Sequence, residues 1–280
     1  MSPHPKWLHH VYDPVSYIDP KWFENLMRPF DEQFLQQAGT LLKDSAAGPD
    51  RVCMAIWKLL LAQSRHARRS LMFLLNACLL LQSIPAPART AIITPIWKDE
   101  NADKVVKNTR PIALQNCLGK ILPKCLAIRL TNIFANHPII HPAQEGFLKG
   151  HSSSTCIDTL LDTWEIAWSR SRRKRNSKGC YNIFYDIIGA YDNVRQEDLH
   201  RSMVRLKLPS DFIKLVMDML SGLTTSVRTA YGNTQVFEVS KGLRQGDPLS
   251  PLLFIIFMDP LHWGLENNPY GQGKNIQDQR

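Results

Sequence analysis

The sequence predicts an α+β domain in which helices pack on a small antiparallel sheet. Apolar residues recur at helical spacing over several long stretches, whereas the β-branched runs are short and bounded by turn residues. Helical and extended segments also alternate without the regular rhythm of a doubly wound parallel sheet. The 280 residues, of which 44% are hydrophobic, are enough to form a sizeable buried core.

The first half of the chain is predicted to be mainly helical. Leucine spacing over residues 51–81, without glycine or proline, predicts one or two buried helices. A proline-rich turn follows, and then a short strand at Ala91–Ile96. Apolar positions from Leu118 to Phe134 predict another helix, which Pro123 either kinks or starts. Serine and threonine N-cap candidates then precede a helix with one apolar face. That face consists of Ile157, Leu160, Leu161, Trp164 and Trp168.

The second half alternates short helices with extended segments. A strand is predicted at Tyr181–Asp186, where apolar residues lead into a carboxylate. Two short helices are predicted at Glu197–Lys207 and Asp211–Leu220. The next segment has the pattern of a β-hairpin that turns at Gly232-Asn233.

A glycine-rich turn and a strongly apolar helix follow the predicted hairpin. Ser250 is the expected N-cap of this helix, and Pro251 lies in its first turn.

Upstream, the carboxylate of Asp186 needs an explanation, because a buried carboxylate is costly unless it is paired, hydrogen-bonded or bound to a metal. Asp186 therefore either lies at the solvent-facing end of its strand or binds a cation.

Charge and cysteine content limit the function classes. A net charge of +9 and a pI of about 9.3 favour a polyanionic partner. The six cysteines show no C-x-x-C pair and no zinc-site spacing, which favours reduced thiols in an intracellular protein. The N-terminus has no apolar signal segment, and the apolar stretch Leu71–Leu81 is too short to cross a bilayer. No membrane partner is expected.

Two motifs carry a resemblance to a known family. Asp186–Asp192 reads DIIGAYD, and Gly242–Pro251 reads GLRQGDPLSP before Leu252–Phe254. In this order they resemble motifs A and B of reverse transcriptases, most closely those of non-LTR, LINE-type retrotransposons. Upstream segments resemble the same family over about residues 48–261. These segments are GPD at Gly48–Asp50, ITPIWK at Ile93–Lys98, TRPIAL at Thr109–Leu114 and QEGFLKGHSSST at Gln144–Thr155.

The resemblance implies reverse-transcriptase-like fingers and an incomplete palm, with no thumb. We expect an N-terminal extension at 1–47 and a fingers-like region at 48–177. A partial palm with motifs A and B is expected at 178–266, followed by a tail at 267–280.

The implied function is RNA-directed DNA synthesis in a mobile element. An RNA template, a DNA primer and a dNTP are the implied partners, and two Mg²⁺ ions are the implied cofactors. Asp186 matches the catalytic aspartate that is the first metal ligand, and the main-chain carbonyl of Ile187 matches the second ligand beside the dNTP.

Five further residues match positions that bind the dNTP in the family. Lys98 and Arg110 match the fingers cations that hold the triphosphate, although a lone cation is more often simply exposed. Tyr191 matches the aromatic residue that closes the space beside the sugar C2′, and its alternative is a core tyrosine. Gln245 and Gly246 match residues that contact the nucleotide and leave room for it.

The family's third palm motif, Tyr/Phe-x-Asp-Asp, has no counterpart, because the sequence contains no Asp-Asp dipeptide. We therefore expect an inactive fragment, since one aspartate and one carbonyl do not hold two cations. Asp247 and Asp259 belong to motif B and its helix, so neither is expected to replace the missing ligands. Asp192 is expected to cap a helix rather than to bind metal.

Other interpretations remain open. A non-catalytic RNA-binding protein would keep the basic fingers surface without the chemistry. A viral-type RNA polymerase shares the palm, but Tyr191 disfavours it because RNA polymerases need room for the 2′ hydroxyl. The basic run Ser169–Gly179 is a solvated loop, a nucleic-acid contact or a nuclear targeting signal. The family resemblance implies a nuclear location. A truncation would reflect a gene-model artefact, a pseudogene or a real short product.

Overall fold

The computed structural model describes residues 10–99, 105, 108–173 and 182–266. Its helices are α1 (Glu32–Thr40), α2 (Met54–Gln63), α3 (Arg65–Leu81), α4 (Cys117–Asn136), α5 (Ser153–Arg173), α6 (Gln196–Arg205), α7 (Ser210–Leu220) and α8 (Ser250–Glu266). Its strands are β1 (Thr90–Trp97), β2 (Thr109–Gln115), β3 (Leu223–Thr229), β4 (Gly232–Asn233) and β5 (Phe237–Val239). Within these ranges, no helix combines the length and apolarity that crossing a membrane requires.

One sheet joins strands from both halves of the chain. Its order is β2-β1-β3-β4, and β5 also pairs with β3. β1 and β2 are antiparallel, with Ile93 opposite Ala113, and β3 is antiparallel to β4 and β5. β1 and β3 run parallel, with Thr90 opposite Thr224. The α+β class is confirmed, but the antiparallel prediction is wrong for this pair, because several helices connect the two strands and allow the same direction.

Helix α4 lies in the core and is anchored at its N-terminus by the GPD segment. The Asp50 carboxylate accepts a hydrogen bond from the Cys117 N–H (3.4 Å), and the Asn116 side chain accepts one from the Asp50 N–H (2.9 Å). A Cβ on Gly48 would lie 2.3 Å from the Gln115 carbonyl carbon, so only glycine fits there. The predicted helix is confirmed, and it begins before Pro123, which is therefore not its start.

Two helices, α2 and α3, form the predicted helical stretch at 51–81. Ser64 separates them, and its hydroxyl caps α3 by accepting the Ala67 N–H (3.2 Å). Their inner faces enter the core, but Phe73 and Leu80 are largely exposed, so the expected burial holds for one side only. The apolar face of α5 is also largely exposed in the described chain.

The predicted β-hairpin forms, but its turn lies two residues earlier than expected. Thr229 pairs with Gly232, so Ala230 and Tyr231 make the turn and Gly232 belongs to β4. The Thr229 hydroxyl donates to the Gly232 carbonyl (2.7 Å) and accepts from the Tyr231 N–H (3.2 Å). This side chain closes the turn, which explains the shift.

The predicted strand at Tyr181–Asp186 is wrong for its described part, and Tyr181 lies outside the described residues. Asn182–Ile187 has no regular secondary structure, and its apolar side chains are exposed, including Phe184 at 79%. A strand requires a hydrogen-bonded neighbour, and no described strand pairs with this segment.

Candidate active site

The motif-B loop lies along the free edge of β2. The Ala113 N–H of this strand donates a hydrogen bond to the Gln245 carbonyl (3.0 Å). Gly246 has a φ of +100°, which favours glycine, and a Cβ there would lie 3.4 Å from the Ala113 oxygen. The two motif-B residues predicted to contact a nucleotide are thus held directly against the sheet.

Lys98 and Arg110 project from one face of the same sheet. Arg110 is paired with Ile96, and the Lys98 N–H donates to the Asn108 carbonyl (2.9 Å), so the pairing continues past the end of β1. Because strand side chains alternate between faces, Ile96, Lys98 and Arg110 share a face. Both cations are exposed, and neither has an ion-pair partner in the described chain.

The glycine of the motif-B loop lies on the face that carries these cations. A Cβ on Gly246 would lie 3.8 Å from the Ile112 Cγ2 atom. Ile112 is two residues after Arg110 on β2, so their side chains point the same way, about 7 Å apart along the strand. The structure therefore places Lys98, Arg110 and Gly246 on one face of the sheet.

The motif-A turn is hydrogen-bonded to the start of the motif-B loop. The Leu243 N–H donates to the Tyr191 carbonyl (2.9 Å), and the Gly242 N–H donates to the Val194 carbonyl (2.9 Å). Gly242 has a φ of +89°, and a Cβ there would lie 3.1 Å from Asp192 backbone atoms. Asp192 is exposed in this turn, and α6 begins only at Gln196, so the prediction that Asp192 caps a helix is wrong.

Tyr191 is packed against the helix that follows motif B. Its ring lies 5.2 Å from that of Phe254, and partial burial raises the pKa of the Tyr191 hydroxyl. Part of the residue stays accessible. The packing of Tyr191 against Phe254 therefore does not conflict with the position beside the sugar that motif A predicts for it.

Asp186 and Ile187, the residues predicted to bind metal, are not tied to the rest of the site. Asp186 is exposed, and it has no hydrogen-bond or ion-pair partner among the described residues. Ile187 is 47% exposed. A carboxylate and a carbonyl are hard oxygen ligands of the kind that Mg²⁺ prefers. No cluster of three or more His, Cys, Asp or Glu side chains suited to a metal occurs within the described ranges.

Two residues of the motif-B loop have structural contacts that the sequence interpretation missed. The Asp247 carboxylate accepts the Leu249 N–H (2.8 Å) just before α8, and Ser250 is the first residue of this helix, so the prediction that Ser250 is its N-cap is wrong. Arg244 donates to the carbonyls of Ala88 (3.5 Å) and Arg89. Desolvation lowers the pKa of Arg244 and raises that of Asp247.

A cavity lies beside this pair of charged residues. Its lining includes Gln115, Arg244, Asp247 and Ser250, and its volume is about 30 Å³. Small-molecule sites typically require several hundred Å³. A nucleotide therefore does not fit in this cavity, and the open face at the β2 edge is the better candidate.

Comparison with known proteins matches the chain to one family and to polymerase proteins of mobile elements. The family model described as reverse transcriptase (RNA-dependent DNA polymerase) matches residues 98–276. The chain is 29% identical over 255 residues to the retrovirus-related Pol polyprotein from type-1 retrotransposable element R2 of Popillia japonica, covering 90% of this chain and 33% of that protein.

Two further relatives come from Drosophila melanogaster. They are the probable RNA-directed DNA polymerases from transposon X-element and transposon BS, which are 26% and 27% identical to the chain. The matches cover 76% and 81% of this chain but only 22% and 24% of those proteins. The chain thus spans a third or less of the length of these three relatives.

Proposed function

The chain belongs to the reverse transcriptase (RNA-dependent DNA polymerase) family, and we propose that it binds a dNTP opposite a template at the β2 edge. The recognition of a non-LTR retrotransposon polymerase from the sequence is confirmed by the relatives. The implied reaction is RNA-directed DNA synthesis, in which a primer 3′ hydroxyl attacks the α-phosphate of a dNTP. Pyrophosphate is the leaving group.

The observation that carries this proposal is the shared sheet face of Lys98, Arg110 and Gly246. Two exposed cations without ion-pair partners in the described chain are suited to a triphosphate, and the Arg110 guanidinium can bind two oxygens at once. Gln245 and Gly246 would border the base and sugar, since a glycine permits close approach. Tyr191 would close the space beside the sugar C2′.

We infer that Asp186 and the Ile187 carbonyl form the first part of a Mg²⁺ site. The oxygen donors fit this ion, and the exposed Asp186 carboxylate has no described side chain to neutralise it. When bound, Mg²⁺ supplies charge stabilisation for phosphoryl transfer. Asp186 would hold the ion, while Lys98 and Arg110 would hold the triphosphate.

We propose that the 280-residue polypeptide, assayed alone, does not extend a primer. In-line transfer with two cations needs carboxylates beyond Asp186, and the sequence has no Asp-Asp dipeptide. An RNA template and a DNA primer are the proposed partners, and the net charge of +9 supports a polyanionic one. A nuclear place of action is proposed because membership of this family implies it.

A second candidate function is nucleic-acid binding without nucleotide chemistry. The isolation of Asp186 from the rest of the site favours it, because that carboxylate contacts no described partner. In this case the basic surface would hold RNA, and the β2 edge would have no affinity for dNTPs. Binding would weaken steeply with salt.

Photo-crosslinking distinguishes the two functions. The purified chain is mixed with an RNA template annealed to a DNA primer, Mg²⁺ and a photoreactive dNTP, and extension is followed in parallel. We expect the dNTP to crosslink within residues 98–115 or 242–250, without extension. RNA binding without dNTP crosslinking would support the second function. Extension that Asp186→Asn abolishes would overturn the proposed inactivity.

A further inference from the structure

We propose that Asp247 is a positioning residue, which together with Arg244 fixes the Gln245–Gly246 loop against the β2 edge and so sets its dNTP affinity. This inference rests on the proposed function. Asp247 is not expected to touch the nucleotide. It acts through the loop that it terminates.

Arg244 fixes one side of the loop to the start of β1. Its guanidinium donates to the main-chain carbonyls of Ala88 and Arg89, immediately before this strand. These acceptors are main-chain carbonyls of the 3-10 helix Ala86–Arg89 that leads into β1, so they do not depend on a mobile side chain. A planar guanidinium that binds two carbonyls also limits the rotation of its own backbone.

Asp247 fixes the other side of the loop to α8. Its carboxylate accepts the Leu249 N–H (2.8 Å) and is also stabilised by the positive charge of Arg244, by the Gln115 side chain at the end of β2 and by the Ser250 N–H. The helix that follows is firmly held, because its residues Leu252 and Leu253 are buried, as is Leu249 immediately before it. The aspartate therefore connects the loop to a helix that is packed in the core.

Only Gln245 and Gly246 lie between these two anchors. Upstream of Arg244, the N–H groups of Gly242 and Leu243 are already bonded to the motif-A turn. The Gln245 carbonyl then meets the Ala113 N–H at 3.0 Å. With both ends fixed, a shift of Asp247 changes the contact between the loop and β2 directly.

The competing explanation is that Asp247 only stabilises the start of α8 and does not position the loop. Substitution by serine distinguishes these two explanations. A serine hydroxyl also accepts hydrogen bonds from nearby main-chain N–H groups, so Asp247→Ser keeps an acceptor for the Leu249 N–H but removes the charge that faces Arg244. Asp31→Ser is the matched control, since Asp31 caps α1 by accepting the Phe34 N–H (2.7 Å). Asp247→Asn is a second variant that preserves the size of the side chain.

The experiment measures two quantities in the full chain. The first is the hydrogen-exchange rate of the Ala113 amide, which reports the loop contact without any nucleotide. The second is crosslinking of the photoreactive dNTP in the presence of primer, template and Mg²⁺. Thermal melting is recorded for every variant, so that a loss of folding is recognised.

In Asp247→Ser and Asp247→Asn we expect Ala113 to exchange about tenfold faster and crosslinking to fall about tenfold, the scale of one lost charge-assisted contact. Asp31→Ser should leave both unchanged. Arg244→Met should reproduce the Asp247 effect, and the double variant should add little, because the two residues act together.

Ala113 exchange within twofold of the unsubstituted chain in both folded Asp247 variants would overturn the inference. If the unsubstituted chain takes up no dNTP, the proposed function fails, yet Ala113 exchange still decides whether Asp247 positions the loop.

Discussion

The two halves of the candidate site are held in different ways. At the β2 edge, backbone hydrogen bonds from Ala113, Gly242 and Leu243 join the motif-B loop to the sheet and to the motif-A turn. At the other half, Asp186 and Ile187 lie in an exposed segment without regular structure. The same motif A contributes to both, since Tyr191 is packed and Asp186 is not.

This difference shows which site residues the fold itself positions. The proposed nucleotide-binding half, at the β2 edge, needs only contacts between elements of the described chain, and these contacts form. The proposed metal-binding half, with Asp186 and Ile187, needs charge compensation for a carboxylate and a hydrogen-bonded neighbour for its backbone. Neither comes from the described residues, so we expect this half to become ordered on binding its ligands.

The largest predicted effect separates the buried core, represented by Phe212 on α7, from the exposed segment that carries Asp186, represented by Phe184. Phe212 is 0% exposed and Phe184 is 79% exposed. Phe212→Ala should lower the free energy of unfolding by about 3–5 kcal/mol, the usual loss for a core phenylalanine. Phe184→Ala should stay within about 0.5 kcal/mol, as exposed positions do. Urea unfolding measures both, and equal losses would contradict the comparison.

The junction between motif A and motif B should be the next most sensitive point. Gly242→Ala should cost about 3 kcal/mol, because a strained φ adds to contacts with Asp192 backbone atoms. Gly232 also has a positive φ but no atom within 4 Å of its Cβ position, so Gly232→Ala should cost only about 1 kcal/mol. Equal losses in urea unfolding would show that the junction is not tightly packed.

The third prediction concerns the exposed cations of the nucleotide-binding half. Arg110→Ala should weaken dNTP crosslinking about tenfold with unchanged stability, and Arg110→Lys should give an intermediate loss. Arg228 is an exposed cation on β3, which β1 separates from β2. Arg228→Ala is therefore the control, and an equal loss there would indicate general electrostatic attraction instead of a defined site.

The local elements of this fold were predictable, because hydrophobic spacing determines most helices. The strand pairing was harder to predict, because the parallel contact between β1 and β3 joins residues that are far apart in the sequence. The hairpin turn moved because the Thr229 side chain closes it earlier. Within the site, the motif identified Gln245 and Gly246, whereas the anchoring by Arg244 and Asp247 required the structure.

The smallest predicted effect lies at the end of α8, outside both halves. Burial, with a smaller contribution from His141, lowers the pKa of His262 below its usual 6.5. The unfolded chain therefore takes up a proton before the folded one does, so the free energy of unfolding should decrease as the pH falls below about 6.5. His262→Gln should flatten this dependence while keeping a donor for the Gln144 side-chain oxygen. If the free energy of unfolding depended on pH in the same way in this variant, His262 would not be the cause of the dependence.

The most direct test is residue-resolved hydrogen exchange of the full chain, alone and with primer, template, dNTP and Mg²⁺. We predict that the amides of Ala113, Gly242 and Leu243 are protected in the free chain, because each is hydrogen-bonded there. The amides of Ile183–Ile188 should exchange freely and gain protection only with the ligands. Strong protection of Ile183–Ile188 in the free chain would contradict the account, since the metal-binding half would then be assembled without its ligands.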